Sequence, residues 1–103
     1  MKNVLLSADG AISVFRVPDE VADNLRAYCL EFCNHWLHES PDAEKYQVET
    51  EDGLIICFTE KDFIDYLNQY ICDEQSELVD TLDCYAYRMN LPEAYIGLPY
   101  FNF

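Results

Sequence analysis

The chain has 103 residues, half of them hydrophobic, with only three Gly and four Pro, which fits a single domain around one core and excludes a disordered polymer. Twenty Asp and Glu against six Lys and Arg give a net charge of −14, spread evenly: residues 1–52 hold eleven acids and four bases, residues 53–103 nine and two. Such a surface repels nucleic acid and anionic membrane and attracts basic surfaces, which excludes direct nucleic-acid binding.

In chain order, Val4–Ser7 and Ala11–Val17 are β-rich runs around Ala8-Asp9-Gly10. Asp-Gly between such runs predicts a two-residue hairpin loop, because a type I′ turn needs positive φ at both central positions. Pro18 suits the first turn of a helix, with Asp19, Glu20 and Asp23 near its positive end. Val21, Leu25, Tyr28, Cys29, Phe32, Cys33, Trp36 and Leu37 then recur at three- and four-residue steps, the stripe of one amphipathic helix of about five turns. Ser40-Pro41-Asp42 ends it.

The second half repeats the plan. Tyr46, Val48 and Thr50 alternate with Lys45, Gln47 and Glu49, as in a half-exposed strand. Asp52-Gly53 turns the chain, and Leu54–Phe58 is apolar throughout, as expected of a strand covered on both sides. Thr59 and Asp62 resemble a capping box with Asp in place of Glu. Phe63, Ile64, Leu67, Tyr70 and Ile71 form the next helical stripe, read as continuing through Leu82.

The expected fold class is therefore α+β: ββαββα, one four-stranded, mainly antiparallel sheet with two amphipathic helices on one face. It is one domain over residues 1–103, built from two ββα units (about 1–40 and 43–82) and a C-terminal segment, 83–103. The hairpin registers put Leu5, Ile12, Val14, Val48, Ile55 and Cys57 on one face, and Val4, Leu6, Phe15, Val17, Leu54, Ile56 and Phe58 on the other. Both faces are apolar, and helices on one side cover only one. Residues 85–103, "YAYRMNLPEAYIGLPYFNF", are the candidate cover for the second. Tyr85, Tyr87 and Met89 alternate like a short strand, and Pro92–Ile96 fits one helical turn stopped by Gly97. Packing of this tail on its own sheet is the favoured reading. The functional rival is an exposed aromatic patch of Tyr95, Tyr100, Phe101 and Phe103 that binds a partner or forms a homodimer.

Candidate chemistry is thin. Cys29, Cys33, His35 and His38 have the composition of a metal site, but at about 100° per residue one helix cannot turn all four to one ion. The cysteines sit on the apolar stripe and read as core. No phosphate loop, nucleophile elbow or basic cluster is present, so neither an enzyme nor a cofactor is expected. The odd count of five Cys with no apolar leader ahead of them points to reduced thiols in a cytoplasmic protein. No run reaches the roughly 20 apolar residues of a membrane helix.

The acids carry the functional lead. From Asp62 through Tyr87 no Lys or Arg occurs among seven acids. If the second helix runs to Leu82, Asp73, Glu77 and Asp80 share a face at axial steps of roughly 5–6 Å, on the scale of phosphate spacing along a nucleic-acid strand. Glu74 and Asp83, with Glu49, Glu51 and Asp52 of the second hairpin, extend this acidic ridge. A solvated helix face is the bland alternative. In size and charge the chain is similar to phage and mobile-element inhibitors such as anti-CRISPR or anti-restriction proteins, a similarity of class. The expected function is a non-enzymatic protein-binding domain, an inhibitor presenting carboxylates to a basic nucleic-acid-binding protein. The alternatives are an immunity-type or regulatory protein binding through the aromatic segment and second sheet face, and a purely structural dimerisation role.

Overall fold

In a computed structural model, which describes residues 1–82 and 91–103, Lys2–Ser7 (β1) and Ile12–Val17 (β2) pair antiparallel with Leu5 opposite Val14. This is the register expected of an Asp9-Gly10 loop. The tip is not a type I′ turn, however. Asp9 takes φ 58 while Gly10 does not take a positive φ. What holds the tip is Asn102, whose Oδ1 accepts from the Asp9 backbone N–H and whose Nδ2 donates to Asp9 Oδ1, both at 2.9 Å. Two bonds from one amide stabilise a left-handed conformation that Asp tolerates better than most residues.

The first helical stretch is interrupted where one continuous helix was expected. Asp19–Asp23 (α1) ends at Asn24, whose φ of −129 breaks the ladder and whose Nδ2 donates to the Glu20 carbonyl at 3.0 Å. A short amide side chain competes in this way for backbone partners. Leu25–Leu30 (α2) then widens into a π turn over Glu31–Trp36 and closes with Leu37–Glu39 (α3). The apolar stripe survives the break: Val21, Leu25, Cys29, Phe32 and Leu37 are all buried. Ser40 Oγ accepts from Asp42 N and starts a 3-10 turn, Pro41–Tyr46.

Gln47–Thr50 (β3) and Gly53–Ile56 (β4) form a second hairpin, but its turn is Glu51-Asp52. Thr50 pairs with Gly53, whose φ of +114 explains the glycine. Glu60–Tyr66 (α4) follows, with the Thr59 N–H donating to Asp62 Oδ2 at 2.8 Å as the capping pattern predicts, and widens into a π turn, Leu67–Ile71. The helix stops there. Cys72 is extended, and Glu77–Leu82 is a strand (β5), which corrects the expected helix through Leu82.

The α+β class and a four-stranded, mainly antiparallel sheet are observed, with a different membership. Strand order is β5-β2-β1-β6, where β6 is Tyr100–Asn102 and runs parallel to β1. β5 takes the place beside β2, so β3 and β4 form a separate two-stranded sheet. Between Val14 and Phe15 the β2–β5 register shifts by one residue, a bulge on β5 at the exposed Val79.

Both faces of the main sheet are covered. The helices bury Val4, Leu6, Phe15 and Val17 in a core centred on Phe32, whose ring lies 5.0–6.0 Å from Tyr66, Phe63, Phe58, Trp36 and Phe103. Mutual ring contacts at these distances add to simple area burial. On the other face, Leu5, Ile12 and Val14 pack under Leu91, Tyr95, Leu98 and Tyr100. The tail therefore packs on its own sheet, as favoured from the sequence. The proposed strand at Tyr85–Met89 lies outside the described residues, as do Asp83 and Cys84. No helix among the described residues is long and apolar enough to cross a membrane.

Candidate partner-binding surface

The acids of the expected ridge fall into three groups on different elements. Glu49, Glu51 and Asp52 sit at the end of the β3–β4 hairpin, all exposed. Asp73 and Glu74 are exposed on the loop after α4, which is pinned because the Asn68 side chain bonds both the N–H and the carbonyl of Ser76. Glu77 and Asp80 lie on β5, opposite Arg16 and Val14 and so on the tail-covered side of the main sheet. A helix-borne ridge with phosphate-like steps does not exist, because its three anchors span a loop and a strand.

Two of these carboxylates already have internal work. Glu77 pairs with Arg16, and Asp80 Oδ2 accepts from the Tyr95 hydroxyl at 3.1 Å, which raises the Tyr95 pKa. By contrast, Glu49, Glu51, Asp52, Asp73 and Glu74 form no ion pair among the described residues.

The aromatic candidates are half-buried and divided between the two cores. Tyr95 and Tyr100 pack over Leu5, Ile12 and Val14, while Phe101 and Phe103 join the ring cluster, 4.9 Å apart. Ser7 Oγ donates to Asn102 Oδ1 at 2.8 Å and so accepts from the Tyr100 hydroxyl at the same distance. These contacts tie the segment down along β1.

The second hairpin holds what the sequence reading missed. Leu54–Phe58 was expected to be covered on both sides. Instead Leu54 is 68% exposed, Ile55 47% and Val48 44%, and only Ile56 and Phe58 reach the core. Beneath the hairpin, an open groove of about 390 Å³ is lined by Cys33, Leu37 and His38 from the helix and by Gln47, Leu54, Ile56 and Phe58. The only sequence signal was the uncharged run Gly53–Phe58, which looks the same whether it is covered or bare.

Cys33 and His38 share this groove, but burial pushes the Cys33 thiol above its ordinary pKa, away from the thiolate a nucleophile needs. The Cys29 thiol is buried outright and raised further. Among the described residues, no three His, Cys, Asp or Glu side chains come together as a metal site. No protein-family model, curated protein or solved structure matches the chain.

Proposed function

We propose that this is a non-enzymatic protein-binding domain whose surface carboxylates engage a basic partner, in the manner of an inhibitor that occupies a surface built for nucleic acid. The observation that supports it is that Glu49, Glu51 and Asp52 on the hairpin, and Asp73 and Glu74 on the loop after α4, are five exposed acids without a counter-ion among the described residues, in a chain of net charge −14. They stand on or beside a turn of fixed register and a pinned loop, so a partner meets them with little ordering cost. The described tail aromatics pack internally, which moves the weight of the binding reading onto the acids.

The test is retention of proteins from a native-source lysate on the immobilised chain. A basic nucleic-acid-binding protein is expected, released by high salt and by added DNA or RNA, and no longer retained when Glu51, Asp52, Asp73 and Glu74 are all changed to Lys. Retention that ignores salt, nucleic acid and these substitutions overturns the reading.

A further inference from the structure

We infer that the β4 edge of the second hairpin is a strand-addition site for an extended segment of a partner protein in which Lys or Arg alternates with apolar residues. The inference rests on the protein-binding reading above and gives that binding a location. It starts from the ladder. The Cys57 N–H donates to the Tyr46 carbonyl at 2.8 Å, so this pair is hydrogen-bonded, and the alternation makes Val48–Ile55 and Thr50–Gly53 hydrogen-bonded as well. Leu54 and Ile56 therefore turn their N–H and carbonyl groups outward from β4, where no backbone partner meets them among the described residues.

Natural edge strands are usually blunted by Lys, Pro, a bulge or a covering element. Residues 53–58 carry no charge, no Pro and no register shift. An added strand would place alternate side chains on the two faces of the hairpin. One set meets Ile55, with Val48 one strand further on, and the other meets Leu54 and the groove beside Leu37. Main-chain bonds supply the affinity in this mode of recognition, and pockets for alternate side chains supply the selectivity.

Charge selects the occupant. Residues 41–58 contain Asp42, Glu44, Glu49, Glu51 and Asp52 against Lys45 alone. A second copy of this chain would bring the same acids to the same place and be repelled, whereas a segment bearing Lys or Arg is attracted.

The test titrates the isotope-labelled full chain with a short synthetic peptide alternating Lys and Val at low salt. Two control peptides are used: one N-methylated at alternate amides, which keeps charge and side chains but removes main-chain donors, and one with Glu in place of Lys. The expected result is NMR shift changes confined to residues 47–58 and the groove residues Cys33, Leu37 and His38, with amide exchange at Leu54 and Ile56 slowed about tenfold or more. Binding should weaken about tenfold on N-methylation and disappear with the Glu peptide. Leu54→Lys, at a mostly exposed position, should weaken binding similarly while leaving the near-UV circular dichroism unchanged.

Shifts at Asp73–Asp80 instead, or indifference to N-methylation, overturn strand addition while leaving a charge-driven surface standing. A concentration-dependent dimer that Leu54→Lys dissolves overturns the choice of occupant. If neither this peptide nor polylysine binds at low salt, the inference and the charge reading behind it both fail.

Discussion

The two hairpins start from nearly the same sequence and meet opposite fates. "SADGAISVF" becomes the centre of a four-stranded sheet, with Ile12 and Val14 at 1% and 0% exposure. "TEDGLIICF" becomes a two-stranded sheet with its outer side bare and Ile55 at 47%. The difference lies in what arrives later in the chain: β5 and β6 flank the first hairpin and the tail roofs it, while among the described residues the second hairpin meets the core through Ile56, Phe58 and Tyr46 at its foot. A hairpin's chemistry writes its strands and turn; its burial is decided by elements elsewhere.

That contrast can be broken most severely at the point the two regions share. Phe32 touches Phe58 from the second hairpin and Phe103 beside the first, so Phe32→Ala should cost about 3–5 kcal/mol by urea denaturation and loosen both. A matched pair sharpens the comparison next. Ile12→Ala should cost about 2–5 kcal/mol, and Ile55→Ala only about 0.5 kcal/mol, with equal losses contradicting the difference in cover. Asn102→Ala removes the two bonds that hold Asp9 and should cost about 1–2 kcal/mol, with its shift changes centred on the first tip and none at Glu51-Asp52.

The smallest effect lies on the helix between the hairpins. A hydrogen bond to Glu31, together with its charge, raises the His35 pKa above the ordinary 6.5. The folded state thus favours the protonated ring, so this contribution is complete below about pH 6.5 and fades as pH rises through the folded value. An NMR titration should find the midpoint above 6.5, and Glu31→Gln should return it.

How much was legible follows from the same physics. The first register could be read because Asp9-Gly10 marks one loop and both strands are apolar at nearly all their buried positions, Ser7 and Ser13 excepted. The need for a cover on the second face was legible too, since two helices cannot wrap one sheet, and Leu91, Tyr95, Leu98 and Tyr100 provide it. Residues 77–82 misled because Asp73, Glu77 and Asp80 fall at helical steps, although Val79 and Thr81 are β-branched and the polar run Asp73–Ser76 separates them from the helix. The bare side of the second hairpin had no local signature. Its exposure results from β5 taking the neighbouring position on β2, which is a competition between distant segments.

The parallel pairing of β1 with β6 has a kinetic consequence. Leu5 meets Tyr100, so closing this pair in an otherwise open chain carries a loop entropy of roughly 4 kcal/mol beyond the constant term. Until it closes, β1 is an unpaired edge and Leu5, Ile12 and Val14 lack the roof that Tyr100 helps form. Refolding is therefore expected to pass its slowest stage with a sticky half-built sheet. Its yield should fall as protein concentration rises, long before equilibrium stability is lost.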